Sequence, residues 1–232
     1  MDLLLLRGFS SIRGVFTAIN VPGETRATDA RGINERGTIV GSYATEPVLG
    51  RNVGHAYVLD DGIFTSFDVP GLEGPTAYDI NNRGVIVGTG SDLTPALASH
   101  GFILEDGVFT ILDFPGATLT EALGINDRGQ IVGVARIGSP ARDTGFLFDR
   151  GVFTTIDVPG ALSSLAYDIN NRGQIVGIYM DTRYTGGGCA ATHGFLALPV
   201  ASPPSLLLFG AATVVLLAIR TRPFLPRQDH PR

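Results

Sequence analysis

The sequence predicts an all-β protein: a propeller-like array of four four-stranded repeats, followed by a C-terminal transmembrane helix. Three observations predict it. First, four landmarks recur in constant order. "FT" begins at Phe16, Phe64, Phe109 and Phe153, and "IN" at Ile33, Ile80, Ile125 and Ile169. "HAY", "HGF", "TGF" and "HGF" begin at His55, His100, Thr144 and His193; "NVPG", "DVPG", "DFPG" and "DVPG" begin at Asn20, Asp68, Asp113 and Asp157. The "IN" pairs are 47, 45 and 44 positions apart, a period that belongs to propellers, solenoids and arrays. Second, the 232 residues include 31 Gly, and only 17% are charged; no long 3.6-residue apolar period appears before residue 200. Third, Pro199 to Ile219 carry no charge and are followed by Arg220, Arg222 and Arg227.

Each repeat reads as four strands, here a to d. Strand a is "TAYDIN" (Thr76–Asn81) and its equivalents; strand b is "VIVGT" (Val85–Thr89). Strand c is "HGFILE" (His100–Glu105) and strand d "VFTILDF" (Val108–Phe114). Their β-branched and aromatic content favours strands. Pro ends strand d each time because it has no N–H for a ladder. The a–b link, Asn-x-Arg-Gly, spells a type I turn followed by a left-handed Gly, with the Asn side chain capping downstream N–H groups. The c–d link ("DDG", "EDG" or "DRG") is a second tight Gly turn. These turns share one end of the repeat, and the b–c and d–a loops emerge at the other.

The ends of the array allow three architectures. The last unit stops near Leu198 without a strand d, while Val15–Val21 is a strand d without a complete unit before it. Joining them would close a ring and protect its edges. However, "GFSSIRGVFT" from Gly8 aligns without gaps to "GFLFDRGVFT" from Gly145, so residues 8–12 match a strand c. That makes a five-bladed ring with a truncated N-terminus an alternative. An open β-solenoid is the third architecture, excluded if Val15–Val21 pairs with the sheet of residues 165–198. The expected organisation is a remnant strand or mis-assigned start at 1–13, the repeat domain at 14–198, a sorting or transmembrane segment at 199–222 and a basic tail at 223–232.

Charge and chemistry narrow the function classes. Up to Leu198 there are 13 Arg against 21 acids, a balance that argues against nucleic-acid binding. Cys189 is the only cysteine, so no internal disulfide forms. His55, His100 and His193 occupy equivalent positions, which a ring spreads apart; they read as hydrogen-bonding groups at the start of strand c. The "DVPG" Asp reads as a strand-end cap, and no catalytic, metal or cofactor residue is expected. Arg36, Arg83, Arg128 and Arg172 share an end with Asp60, Asp61, Glu105 and Asp106, predicting a ring of weak surface ion pairs.

Specificity is expected where repeats differ. The b–c loops hold 13, 11, 10 and 15 residues between the "IVG" Gly and strand c, and such insertions map to binding faces in repeat proteins. The candidate ligand-binding residues are Arg51, Asp92, Arg136, Arg142, Asp143, Asp181, Arg183 and Tyr184. Tyr184, followed by three glycines, suits stacking on a sugar ring.

The dense apolar run Leu206–Ile219 is 14 residues long; with its Ser/Pro lead-in it suffices to span a bilayer. Arginines after it favour a cytoplasmic tail and an exported body. "MDLLLLRGF" makes a poor signal peptide, with Asp2 before the leucines.

The repeated "FTxxDVPG…AYDINNRGxIVG…HGFxxxDG" resembles the HAF-type extracellular repeat of bacterial exported proteins, over roughly residues 8–198. The tail "VASPPSLLLFGAATVVLLAIRTR" resembles a PEP-CTERM sorting signal, with Ser202-Pro203-Pro204 in place of Pro-Glu-Pro. The resemblance implies an exported protein, membrane-held and then sorted by an exosortase-type enzyme; the missing acid makes simple membrane retention an alternative. The expected function is non-enzymatic binding, or a place in the extracellular matrix, with polysaccharide as an expected ligand class. The alternative is a propeller enzyme acting on extracellular glycans.

Overall fold

The structure, a computed structural model, describes residues 8–12, 15–23, 25–45, 54–92, 98–181 and 191–199. All regular elements among them are β-strands, seventeen in number. β1 (Gly8–Ile12) and β2 (Val15–Ile19) form a hairpin. β3 (Thr25–Ile33), β4 (Ile39–Thr45), β5 (Gly54–Asp60) and β6 (Ile63–Phe67) form an antiparallel meander. The second meander is β7 (Glu73–Ile80), β8 (Ile86–Ser91), β9 (Ser99–Glu105) and β10 (Val108–Leu112); the third is β11 (Leu119–Ile125), β12 (Ile131–Ile137), β13 (Arg142–Asp149) and β14 (Val152–Ile156). One parallel pairing, Leu119 with Ser99, joins these two. The fourth has three strands: β15 (Ala161–Ile169), β16 (Ile175–Asp181) and β17 (Ala191–Ala197).

The turns follow the spelling. Gly37, Gly84, Gly129 and Gly173 end the a–b turns with φ of 76–87°, a region that costs glycine little. In the second repeat Asn81 Oδ1 accepts the N–H groups of Arg83 and Val85, both at 3.0 Å; Asn34, Asn126 and Asn170 do the same in theirs. In the c–d turns both central residues have positive φ: Asp61–Gly62, Asp106–Gly107 and Arg150–Gly151. That is the type I′ hairpin, whose twist matches its strands.

Every strand a also carries an irregularity that its letters do not spell. The a–b register slips between Ala30 and Gly32, Ala77 and Asp79, Ala122 and Gly124, and Ala166 and Asp168. The extra residue makes a bulge, which bends a strand and re-aims the side chains after it. The partner glycine of "IVG" has no room for anything larger. A β-carbon on Gly41, Gly88, Gly133 or Gly177 would collide with the carbonyl oxygen of Asp29, Thr76, Glu121 or Leu165. It would also press on the strand c aromatic ring, at 2.6 Å for Phe102 and 2.9 Å for Phe146.

The core lies between repeats rather than within them. Val40 and Ala56 of the first repeat pack with Ile80, Ile86 and Phe102 of the second. Val85 and Val87 pack with Ile125, Ile131 and Phe146, and Val132 packs with Ile169, Ile175 and Phe195. Repeat units that bury their faces only against neighbours behave as one-dimensional arrays.

The ends correct the ring-closing expectation. β2 pairs with β1, in the register Gly8 to Ile19; this is the register of Gly101 with Leu112 and Gly145 with Ile156. Residues 8–12 are therefore a strand c, and β1–β2 is the c–d half of a preceding unit. Among the described residues, β15–β17 form a sheet that does not include β2, so the N-terminal strand does not close the array. No described helix is long and apolar enough to cross a membrane. The expected C-terminal helix, with Ser202, Pro203 and Pro204, lies outside the described residues, as do Arg51, Arg183 and Tyr184.

Candidate functional site

At the b–c end, the structure brings some of the sequence-predicted residues together and separates others. Arg136 on β12 and Asp143 on β13 are cross-strand partners. Their side chains form a two-pronged contact, Nε to Oδ1 at 2.7 Å and Nη2 to Oδ2 at 3.2 Å. Glu121 on β11 lies beside them: burial pushes its carboxyl up, Asp143 adds to the effect and Arg136 opposes it. Arg142 instead reaches Asp157, Nη2 to Oδ1 at 3.4 Å. Both pairs are solvent-exposed, so each contributes at most about 1 kcal/mol to stability and remains exchangeable.

Asp92 and Asp181 occupy equivalent places at the ends of their strands b. Asp92 Oδ2 lies 3.6 Å from His100 Nε2, and His100 Nδ1 is 2.9 Å from Asp113 Oδ1. Asp181 Oδ2 is likewise 3.6 Å from His193 Nε2, and His55 Nδ1 is 2.7 Å from Asp68 Oδ1. Tyr43 stacks on His55 and Tyr179 on His193. The "DVPG" Asp thus orients the strand c histidine of its own repeat, or, in the third repeat, Arg142. A contact used in successive repeats is a clasp between strands c and d. Among the described residues no group of three His, Cys, Asp or Glu is placed to hold a metal.

The a–b end holds a pocket of about 280 Å³ lined by residues from all four repeats, including Asn34, Glu35, Asp79, Asn81, Asp127 and Asp168. A ladder of asparagines surrounds it. Asn34 Nδ2 donates to the Asn81 carbonyl at 3.3 Å, Asn81 to that of Asn126 at 3.1 Å, and Asn126 to that of Asn170 at 3.0 Å. A second rail runs alongside: the N–H groups of Glu35, Asn82 and Asp127 donate to the side chains of Asn82, Asp127 and Asn171, each at 2.8 Å.

The bulge then sets what faces the pocket. The residue after it is Gly32, Asp79, Gly124 and Asp168 in turn. Strands a of neighbouring repeats touch there: a β-carbon on Gly32 would sit 2.7 Å from the Asp79 Cα, and one on Gly124 2.9 Å from the Asp168 Cα. Asp79 Oδ1 accepts from Ile80 N and Oδ2 from Ile125 N, both at 2.8 Å. Burial pushes its carboxyl up to about 6, against those two hydrogen bonds and with help from Asp168. The signal was legible as "GIN", "DIN", "GIN", "DIN", but the repetition of the "IN" pair hid the alternation before it.

The predicted ring of ion pairs is absent. Among the described residues none of Arg36, Arg83, Arg128 and Arg172 comes within 4 Å of a carboxylate oxygen; Arg83 acts on the next repeat's turn instead, where its charge adds to the hydrogen bonds that lower the Asp127 carboxyl. Arg36 and Arg83 extend over the next repeat's turn, where β-carbons on Gly84 and Gly129 would lie 3.4 and 3.0 Å from their guanidinium nitrogens. The c–d acids turn to nearer groups: Asp60 accepts from Thr38 Oγ1 at 2.8 Å and Asp149 from Gln130 Nε2 at 3.1 Å.

Comparison with known proteins adds little to this geometry. A family described as "Protein of unknown function (DUF3466)" matches residues 113–197. No curated protein matches the chain. Among solved structures, the chain is similar to the subtype N11 neuraminidase-like protein of A/flat-faced bat/Peru/033/2010 (H18N11), with 16% identity and a TM-score of 0.42. The similarity covers 82% of this chain and 65% of that one.

Proposed function

We propose that the chain is an exported, surface-associated repeat protein whose meanders are arranged as propeller blades, and that it acts as a non-enzymatic binding or extracellular-matrix component. One observation carries this reading: the repeated polar groups are already committed to one another. The turn asparagines cap their own turns and tie each repeat to the next, and both Asp79 oxygens hold backbone N–H groups. What differs between repeats is exposed at the b–c end, in the Arg136–Asp143 and Arg142–Asp157 pairs. An exposed bidentate Arg suits carboxylate or hydroxyl groups of an acidic or neutral polysaccharide. The apolar run before Arg220 supports membrane attachment or exosortase-type sorting.

Expression in a bacterial host, cell fractionation and intact mass of the mature chain test the location: membrane or surface material, full length or trimmed near Pro204, supports it. Full-length protein confined to the cytosol overturns it. Co-sedimentation with host polysaccharide, weakened by Arg136→Ala and Arg142→Ala, tests the binding face.

A second reading, an enzyme acting on glycans, is favoured by Asp79 and Asp168 lining one pocket and by the burial that raises the Asp79 carboxyl, since carboxylate pairs that include a raised acid are the machinery of glycoside hydrolysis. Glycan hydrolysis abolished by either Asp→Asn change would establish it.

A further inference from the structure

We infer that the seam between the first and last repeats is a docking site for one more a–b hairpin of the same type, contributed by a partner polypeptide. The three internal seams show what such a surface receives. In each, the strand b valine of one repeat packs on the strand a isoleucine of the next: Val40 with Ile80, Val87 with Ile125, Val132 with Ile169. Those three valines are 0% exposed, and the isoleucines 3–5%. The two remaining members of the set are uncovered. Val176 is 45% exposed and Ile33 62%.

The polar ladder is open at the same two places. Asn126 Nδ2 bonds both Gln130 of its own repeat and the Asn170 carbonyl ahead of it. Asn170 Nδ2 has only Gln174 Oε1 among the described residues. At the other end the Asn34 carbonyl takes Gly37 N–H from its own turn, but no described side-chain amide reaches it from a preceding repeat. Both open ends border the same pocket.

The occupant follows from what already covers the first repeat. Ile19 and Val21 pack against Tyr57, with Ile39 and Phe64 at the margin, so β1–β2 supply the c–d half of the preceding unit. Among the described residues no a–b hairpin accompanies that half. A single hairpin carries both complementary faces: its isoleucine meets Val176, its valine meets Ile33, and its turn asparagine accepts from Asn170 and donates to Asn34. Every a–b hairpin among the described residues is packed in its own repeat, so none is available to fill the seam. This is recognition through the hairpin's faces and turn rather than addition to a sheet edge.

The probe is a peptide of Thr76–Thr89, a hairpin whose end residues are cross-strand partners, closed by a D-Pro–Gly turn so that it is folded when free. Labelled, it is titrated with the full chain and followed by fluorescence anisotropy. Saturable binding is expected, weakened about tenfold or more by Ile33→Asp, by Val176→Asp, and by Asn81→Ala in the peptide. Both chain positions are exposed, so the Asp variants keep the parent melting temperature, which is checked in parallel. Absence of saturable binding overturns the inference, as does binding indifferent to both Asp variants. Sedimentation velocity without peptide covers the remaining occupant: self-association lost in both variants would assign the seam to a second copy of this chain and overturn the hairpin.

Discussion

The two ends of each repeat solve opposite problems with similar residues. At the a–b end, polar side chains are buried and point into the neighbouring repeat: Asn81 is 3% exposed and serves its own turn and the next. At the b–c end, Arg136 is exposed and pairs with Asp143 within its own repeat. Repetition therefore marks the end that builds the array, and irregularity marks the end free to vary. Identical letters in successive repeats signal a shared mechanical task, because a residue that must fit its own homologue next door cannot change alone.

The sharpest test of the building end sits beside its bulge. Gly133→Ala places a methyl against the Glu121 carbonyl and the Phe146 ring. Backbone cannot retreat as a flexible side chain can, so the expected cost is about 3–5 kcal/mol. Urea denaturation is expected to show a large fall in midpoint, or no cooperative transition. A similar change at Gly151, whose β-carbon would meet nothing within 4 Å, meets only the strain of its positive φ, roughly 1 kcal/mol.

Asn81→Ala removes two turn hydrogen bonds and the bond to Asn126 from a buried position. Leaving those backbone groups unpaired costs about 3 kcal/mol. Asn170→Ala removes the same turn bonds at the exposed end of the ladder, and about 1 kcal/mol is expected there. Equal losses at both sites would show that the inter-repeat bond contributes nothing.

Much of this was legible, and the failures have physical reasons. The Asn-x-Arg-Gly turns, the positive-φ glycines and the strand c identity of residues 8–12 depend on local backbone chemistry, which sequence spells directly. The bulge at Ala77–Asp79 changes register without changing composition, so an alternating pattern conceals it. The arginine ring failed because sharing an end does not bring side chains within reach: Arg83 lies over Gly129, while Asp60 already has the Thr38 hydroxyl. Ring closure by Val15–Val21 failed because β1, adjacent in sequence, took the pairing edge first.

Titration reads the pocket through Asp79. The Asp79 carboxyl is raised to about 6 from 3.8, so the unfolded chain loses this proton first as pH rises. The group's contribution is therefore full below about pH 4 and is lost as pH rises through 6. The loss is on the order of 2–3 kcal/mol. Glu121, also raised by burial, acts in the same direction. Urea stability measured at pH 4.5 and pH 7 is expected to fall more for the parent chain than for Asp79→Asn. Parallel curves would mean that Asp79 is solvated and that the pocket is open around it.

The smallest expected effect is the most informative about the varied end. Arg136→Gln breaks a two-pronged pair with Asp143 and leaves Glu121 and Asp143 facing each other without their cation. Exposure and solvent screening limit the cost to less than about 1 kcal/mol, so the melting temperature should shift by no more than a few degrees. The shift should shrink at high salt, because these charges are screened. Loss of polysaccharide co-sedimentation in this variant, with stability intact, would make the b–c end a recognition face. If stability instead falls as far as in Asn81→Ala, the Arg136–Asp143 pair is part of the framework, and the division between a building end and a varying end fails at the third repeat.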